Sequence, residues 1–246
     1  MSYKKGKEIY DGKAKKLFDV VGHPELLWQE FKDSLTAFNA QKRGSFEQKG
    51  ALNREISALL YEELESKGVT THRVMEIPPT AIVTKKLDMV KLEVVVRNIL
   101  AGSTAKKFGI EEGKPLEAPL VEFYYKDDAL ADPFVSDDQA LMLKTVRSKA
   151  ELDELRSFGL KVNEVLKSTM ERAGIDLVDF KIEVGRDADR RLYLADEISP
   201  DCCRLWDKVT GQKMDKDRFR RDLGGVEEAY REVCVRLKST LKKGSV

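Results

Sequence analysis

The chain has 246 residues, of which 44 are Lys or Arg and 43 are Asp or Glu, so its formal net charge is +1. Its hydrophobic fraction of 41% is too high for a disordered chain, and 16 glycines with 7 prolines exclude collagen-like and low-complexity classes. The near balance of charge argues against a protein that binds nucleic acid through bulk positive charge.

The first half of the chain is predicted to form short strands and one long helix. Strands are expected at residues 8–11, 17–21, 26–31, 81–84, 92–97 and 121–125. The helix is expected from about residue 48 to 66, because leucines and isoleucines recur there at helical spacing and Gly68 supplies a stop. A short helix at 103–108 follows the strand at 92–97, whose β-branched residues are typical of a strand inside a sheet.

The second half is predicted to contain two long helices and a hairpin. Ser148 and Glu151 form a capping-box pattern at the start of a helix that ends near residue 173. Strands at 177–184 and 191–198 flank a polar turn, and a last helix spans about 226–241. Because strands and helices are mixed without a regular βαβ order, the sequence predicts an α+β fold rather than a doubly wound sheet.

The sequence also bears on the compartment. The first ten residues, MSYKKGKEIY, contain no apolar run of the kind found in signal peptides. No stretch approaches the ~18 consecutive apolar residues of a membrane helix. The three cysteines form no metal-binding spacing, and two of them, Cys202 and Cys203, are adjacent. We therefore expect reduced thiols in a cytoplasmic protein that does not bind membranes.

The strongest local signal lies in the predicted hairpin. The two-residue period of a strand directs Asp179, Lys181 and Glu183 to one face. A turn centred near residues 187–189 makes opposed residue numbers sum to about 377, which brings Asp196 close to Lys181 and diagonal to Glu183. Glu183 and Asp196 could then share a hard divalent cation such as Mg²⁺. An ordinary solvated sheet face fits the spacing equally well.

A glycine turn near the start of the chain is a second candidate. Gly12 is followed by Lys13 and Lys15, so the turn offers backbone N–H groups and ammonium charges to a polyphosphate. It is not a Walker A loop, because Ala14 stands where that motif needs Ser or Thr. A solvated basic turn is the simpler alternative.

Two further segments carry charges that need partners. Arg97 ends an otherwise apolar strand and must find an anion, either Glu93 on the same face or a ligand phosphate. Ser103 follows closely and could cap the short helix. The strand end at 196–207 is rich in acids and contains Arg204, which favours a ligand site or an acidic turn closed by ion pairs.

Together, a series of short segments in order along nearly the whole chain resembles the SAICAR synthetase family. They are residues 10–15, 36–39, 85–89, 95–98, 101–103, 125–128, 132–133, 178–183, 196–201, 204–207 and 214–220. The resemblance implies that ATP, an aminoimidazole carboxylate ribonucleotide (CAIR) and L-aspartate give the succinocarboxamide ribonucleotide (SAICAR), ADP and phosphate in purine biosynthesis. This enzyme would be an ATP-dependent carbon–nitrogen ligase that uses Mg²⁺.

The same resemblance implies an architecture. The fold would be α+β and two-lobed, with mostly antiparallel sheets in an ATP-grasp or kinase-like nucleotide-binding arrangement. Residues 1–86 would form the ATP-binding lobe, and residues 87–246 would carry the metal and substrate-nucleotide sites. The family also implies a homodimer, and neither a nucleic acid nor a membrane is expected as a partner.

The resemblance assigns a role to each matching position. The ATP site would be formed by Gly12, Lys13, Ala14, Lys15, Leu87, Met89, Lys126, Glu183 and Asp196. Glu183 and Asp196 would also hold the metal. The substrates would be bound by Arg97, Ser103, Arg204, Asn39 and Asp201, and the catalytic residues would be Lys181 and Asp179.

Two alternatives remain open at the level of sequence. A kinase-like phosphotransferase acting on a hydroxyl would need an HRD or DFG motif, and neither string is present. A nucleic-acid binder could use the lysines at residues 4–16, but the net charge of +1 argues against it.

Ala40 stands where many relatives of the family carry glycine, which affects how the loop at 39–44 closes.

Overall fold

The computed structural model describes residues 2–37 and 41–242. The first part of the chain forms β1 (Lys5–Asp11), β2 (Lys15–Val20), β3 (His23–Phe31), β4 (Ser34–Ala37), β5 (Lys42–Ser45), α1 (Lys49–Ser66), β6 (Arg73–Ile77) and β7 (Ala81–Lys85). The remainder forms β8 (Asp88–Ile99), α2 (Gly102–Phe108), β9 (Pro115–Tyr125), β10 (Phe134–Val135), α3 (Asp137–Met142), α4 (Lys149–Arg172), β11 (Ile175–Arg186), β12 (Leu192–Ala195), β13 (Cys203–Asp207), α5 (Asp217–Arg220) and α6 (Val226–Lys242).

Two antiparallel sheets organise these strands. The first has the order β1-β2-β3-β7-β6, and the second has the order β10-β9-β8-β11-β12. On the free edge of β11, β13 pairs with the first half of the strand and β12 pairs with the second half. The connection between β12 and β13 therefore passes beside the middle of β11. The strands β4 and β5 form a separate hairpin.

The main hydrophobic core lies between the second sheet and the long helices. Ile56 of α1, Leu155 of α4 and Leu237 of α6 are fully buried in one cluster with Val94 of β8 and Ile182 of β11. These helices pack there because each carries an apolar stripe at helical spacing, and a stripe is stable only when another element covers it. The first sheet has a smaller cluster of its own around Val83.

The structure confirms the α+β class and the antiparallel sheets. The predicted helices at 48–66, 148–173 and 226–241 correspond to α1, α4 and α6, and Ser148 is the N-cap of α4. The chain passes from the first sheet to the second between β7 and β8, whereas α1 joins the core of the second sheet. The division at residues 86 and 87 stays a prediction.

Several short elements were not predicted, namely β4, β5, β6, β10, β13, α3 and α5. The predicted strand at 191–198 was too long, because β12 ends at Ala195 and Asp196 has a φ of 66°. No helix of the described residues is both long and apolar enough to cross a membrane. All three cysteines are free thiols.

Candidate active site

A cavity of about 810 Å³ is lined by residues of both large sheets. Most of the predicted site residues line it: Gly12, Lys13, Ala14, Lys15, Arg97, Ser103, Lys126, Asp179, Lys181, Glu183, Asp196, Asp201 and Arg204. The other predictions do not fall on this lining. Leu87 and Met89 are not among the described residues that line the cavity. Asn39 lies outside the part of the chain that the structure describes.

Lys181 is the centre of an acidic cluster on β11. Its Nζ atom lies 2.9 Å from Oε1 of Glu183, 3.2 Å from Oε1 of Glu93 and 3.5 Å from Oδ2 of Asp196. Burial alone would lower the pKa of Lys181, but these three carboxylates outweigh it and hold the pKa well above its usual value. The side chain is therefore a permanent cation between two acids of the predicted metal site.

The backbone geometry that brings Asp196 to this cluster differs from the hairpin expected from the sequence. Glu183 pairs with Ala195, one residue away from the register expected from a sum of 377. Opposed residues share a face, so a continuing strand would direct Asp196 away from Glu183. The left-handed φ of 66° at Asp196 breaks the alternation and returns its carboxylate to the same face.

The glycine turn brings a second lysine to Asp196. The Lys15 Nζ atom lies 2.5 Å from Oδ1 of Asp196 and 2.6 Å from Oε1 of Glu197. Burial would lower the pKa of Lys15, but the two carboxylates raise it above its ordinary value. A Cβ at Gly12 would lie 2.7 Å from a ring carbon of Tyr10, so only glycine fits here without a shift.

Arg97 does not pair with Glu93, which was one of the two expected partners. Its Nε atom donates to Oε2 of Glu122 at 2.7 Å, and Nη1 contacts Asp179. The register explains this outcome, because Arg97 lies opposite Asp179, whereas Glu93 lies opposite Glu183. Arg97 is only 3% exposed, so most of its surface is already covered by protein.

Arg204 is oriented by acids on both sides. Its Nη1 atom lies 2.8 Å from Oδ2 of Asp179, and its Nε atom lies 3.1 Å from Oδ2 of Asp217. Asp217 also binds Arg220, with Nη1 to Oδ1 at 2.6 Å. Ser103 lines the cavity nearby, but the N-cap of α2 is Ala101, so the expected capping role of Ser103 was wrong.

Both carboxylate oxygens of Asp201 have protein partners. Oδ2 accepts from Lys49 Nζ at 2.6 Å, and Oδ1 accepts from the Tyr230 hydroxyl at 2.7 Å. The lysine of α1 and the tyrosine of α6 are both buried. Asp201 is thus held rigidly at the cavity wall.

Two cations of the cavity lining were given no role from the sequence. Lys216 and Arg220 both line the cavity, and no described carboxylate lies within 4.0 Å of the Lys216 ammonium. Burial lowers the pKa of Lys216, and the charge of Arg220 adds to this effect, although the charge of Asp201 opposes it. Two cations four residues apart share a helical face, but α5 was not predicted, so the sequence alone did not bring them together.

Leu87 and Met89 lie against Gly185 of β11. A Cβ on Gly185 would be 2.7 Å from Cβ of Leu87 and 3.0 Å from Sδ of Met89. Met89 is 40% exposed, so it also presents apolar surface to solvent. The prediction that this segment borders the adenine stays untested by this arrangement.

Comparisons with known proteins agree on one family. The family model for SAICAR synthetase matches residues 8–237. The phosphoribosylaminoimidazole-succinocarboxamide synthase of Nautilia profundicola is 52% identical over 94% of this chain and 98% of its own length. The enzyme of that name from Campylobacter fetus is 54% identical, with 94% and 98% covered.

Solved structures of similar proteins have the same fold. The phosphoribosylaminoimidazole-succinocarboxamide synthase of Ehrlichia chaffeensis superimposes with a TM-score of 0.91 at 43% identity, covering 94% of this chain and 98% of that one. A SAICAR synthetase in complex with ADP gives 0.90 at 44% identity with the same coverage. The chain described here therefore belongs to the SAICAR synthetase family.

Proposed function

We propose that this protein joins CAIR to L-aspartate at the expense of ATP, giving SAICAR, ADP and phosphate in purine biosynthesis. The observation that carries the proposal is full-length similarity, at about half of all positions, to enzymes named for this reaction. The cavity supports it, because cations and acids from both sheets converge there. A kinase acting on a hydroxyl is not favoured by the family match.

The reaction needs a cavity of this composition. A carboxylate is a poor acyl donor, because its negative charge repels nucleophiles and oxide is a poor leaving group. In the proposed sequence, a carboxylate oxygen of CAIR bonds to the γ-phosphorus as ADP leaves. The amine of aspartate then attacks the carboxyl carbon, and phosphate leaves with that oxygen. The work of the protein is mainly to position three anions and to stabilise the charge that develops.

We assign the ATP phosphates to the glycine turn. Backbone N–H groups near Gly12 and the ammonium groups of Lys13 and Lys15 suit a polyphosphate. Lys126 would add a further cation from the opposite sheet, where it contacts Glu183. Leu87 and Met89 would border the adenine. The ADP complex of a relative supports a nucleotide site in this fold.

Mg²⁺ fits the pair formed by Glu183 and Asp196. Both carboxylates approach the same Lys181 ammonium, so they face one point in the cavity. Among residues 2–37 and 41–242 no group of three or more acidic, His or Cys ligands could hold a metal. Mg²⁺ bound with a nucleotide needs only one or two protein carboxylates. When bound, the ion would neutralise charge on the transferring phosphoryl group.

We assign CAIR to the arginine side of the cavity. Arg97 and Arg204 share Asp179 as a partner, so their guanidinium groups are fixed beside the strand face that carries Lys181. Ser103 would complete the contacts to the phosphoribosyl group. Lys181 would stabilise the charge of the reacting carboxylate, and Asp179 would orient the two arginines rather than take part in bond making.

L-Aspartate would occupy the remaining part of the lining. Lys216 is the cation there that has no described carboxylate partner, and Arg220 lies beside it. A buried ammonium that no carboxylate contacts directly favours the binding of an anionic ligand group. Asp201 would fix the wall behind this position. Asn39, which lies outside the described residues, stays a predicted contact to the substrates. We further propose a homodimer, as the family resemblance implies. We also propose a cytoplasmic compartment, which is supported by the three free thiols.

An omission assay tests the proposed function. ADP release is followed with ATP, CAIR and L-aspartate together and with each one left out. We expect sustained ADP release only when all three are present. Release that needs no L-aspartate would contradict the proposal and favour a phosphotransferase.

A further inference from the structure

The backbone carbonyl of Asp196 accepts two hydrogen bonds from buried side chains. Gln29 Nε2 donates to it at 2.9 Å, and the Tyr61 hydroxyl donates to it at 2.9 Å. Gln29 is 4% exposed and belongs to β3, whereas Tyr61 is 0% exposed and belongs to α1. Neither β3 nor α1 contains a predicted metal ligand, yet a side chain from each donates to this one carbonyl.

This carbonyl belongs to the residue whose backbone conformation decides the geometry of the acidic cluster. The φ of 66° at Asp196 is unfavourable for residues other than glycine, although Asp and Asn tolerate it better than most. It is this conformation that turns the Asp196 carboxylate toward Lys15 and Lys181. Without an external constraint, an extended conformation would carry the carboxylate to the other face of the sheet.

The donors are themselves held in place. The Tyr61 hydroxyl lies 3.4 Å from His72 Nε2, and the two rings pack edge to face with centroids 5.7 Å apart. The backbone of His72 donates to Leu194 O at 2.9 Å, just before Asp196 in the chain. Gln29 lies inside the first sheet, opposite Leu17 and Ile82. The packing around each donor therefore fixes the direction from which it approaches the carbonyl.

We propose that Gln29 and Tyr61 are positioning residues, which hold Asp196 in the left-handed conformation that lets its carboxylate act with Glu183 on a divalent cation. The inference rests on the proposed function, since it takes Asp196 to be a metal ligand. The two side chains act only through the backbone of Asp196 and make no contact with the cation.

The experiment measures Mn²⁺ binding to the full chain in the presence of ADP, by electron paramagnetic resonance of free Mn²⁺. The variants are Tyr61→Phe, Gln29→Met and the double variant. We expect each single change to weaken Mn²⁺ binding about fivefold, the usual worth of one hydrogen bond, and the double change to weaken it further. The activity of the variants should be closer to that of the wild type at saturating Mg²⁺ than at limiting Mg²⁺.

A matched control comes from the same helix. Ser57 is fully buried in α1 and donates to Ile198 O at 3.0 Å, two residues beyond Asp196. Ser57→Ala should lower the melting temperature without changing Mn²⁺ affinity. If Tyr61→Phe and Gln29→Met behave like Ser57→Ala, with a lower melting temperature and unchanged Mn²⁺ affinity, the proposal is overturned. If Tyr61→Phe does not fold, Gln29→Met alone decides between these results.

Asp196→Asn separates the metal assignment of Asp196 from the positioning role of the two donors, because Asn tolerates a left-handed φ but cannot bind the cation as a carboxylate. If Asp196→Asn weakens Mn²⁺ binding strongly and the donor variants do not, only the positioning role fails. If Asp196→Asn binds Mn²⁺ normally, the metal assignment itself fails and the positioning role with it. If both kinds of variant weaken binding, the positioning role stands.

Discussion

Carboxylates hold most of the cations that line the cavity. Lys15, Lys181, Arg97 and Arg204 each contact at least one buried or half-buried acid. Such pairing keeps long side chains in one orientation and reduces the entropy lost when an anionic ligand binds. Removing one of these acids also changes the electrostatic environment of the lysine or arginine that it contacts. A substitution at one residue therefore affects its partners.

Glu183→Gln tests the metal assignment at the residue scale. The amide keeps the size of the side chain but loses the charge that would bind Mg²⁺, so we expect kcat to fall by about two orders of magnitude or more. Lys181 keeps Glu93 and Asp196 as partners, and the fold should persist. Steady-state kinetics and circular dichroism check both points. Nearly normal turnover would rule out the metal role of Glu183.

Lys216→Met tests the site proposed for L-aspartate. Methionine fills similar space without the ammonium group, so we expect the KM for L-aspartate to rise about tenfold or more, as for the loss of a charge-assisted hydrogen bond. The KM values for ATP and CAIR should change little. Arg218→Met is the control, because Arg218 lies in the same segment and is absent from the described lining of the cavity. A change confined to the KM for CAIR would contradict the assignment.

At the scale of elements, the start of α1 is pressed against the end of β3. A Cβ on Gly50 would lie 2.5 Å from the carbonyl oxygen of Phe31, a backbone atom that cannot rotate away. The neighbouring Lys49 holds Asp201 at the cavity wall. Close packing of this helix therefore contributes directly to the shape of the site.

Gly50→Ala should lower the free energy of unfolding by about 1–3 kcal/mol, because overpacking forces the helix and strand apart. Urea unfolding measures the change. Glu62→Ala, on the exposed side of the same helix, should alter the stability by less than about 0.5 kcal/mol. Alanine is normally the better helix former by about 1 kcal/mol, so a stability gain in Gly50→Ala would show that the close approach does not exist.

The elements that could be predicted are those whose pattern is long. α1, α4 and α6 each present an apolar stripe over at least four turns, and the structure places them within one or two residues of their expected ends. β4, β5 and β13 have only four or five residues each, so a local pattern is weak evidence for them. Their pairing comes from tertiary contacts that no local pattern records.

The same limit applies to the site. The two-residue period correctly put Asp179, Lys181 and Glu183 on one face, since that is a local property of a strand. The position of Asp196 depends on a left-handed backbone angle, and the partner of Arg97 depends on strand register. Neither is encoded by the residues immediately around it, so both required the assembled sheet.

For the whole molecule, the charge of +1 conceals an uneven distribution of acids and bases. Acids that are deeply buried make the stability of the fold depend on pH. Burial raises the pKa of Asp215 to about 7, and the neighbouring Asp217 adds to the effect. The Asp215 carboxyl group accepts backbone hydrogen bonds from Leu205 at 2.8 Å and from Asp217 at 2.6 Å.

The sign of the pH effect follows from this raised pKa. Between pH 4 and 7 the folded chain keeps a proton on Asp215 that the unfolded chain releases, so this residue contributes less stability as the pH rises. Asp215→Asn has no such proton. We expect the wild type to lose about 2.5 kcal/mol more than Asp215→Asn between pH 5 and 8 in urea unfolding. Parallel pH profiles would show that Asp215 titrates normally.

We propose that the cavity activates the carboxylate of CAIR by phosphorylation. The most direct measurement uses CAIR labelled with ¹⁸O in its carboxylate, with ATP and L-aspartate, and mass analysis of the released phosphate. If the carboxylate receives the γ-phosphoryl group and aspartate displaces it, each phosphate carries one ¹⁸O atom from CAIR. Released phosphate that contains no ¹⁸O would contradict the account.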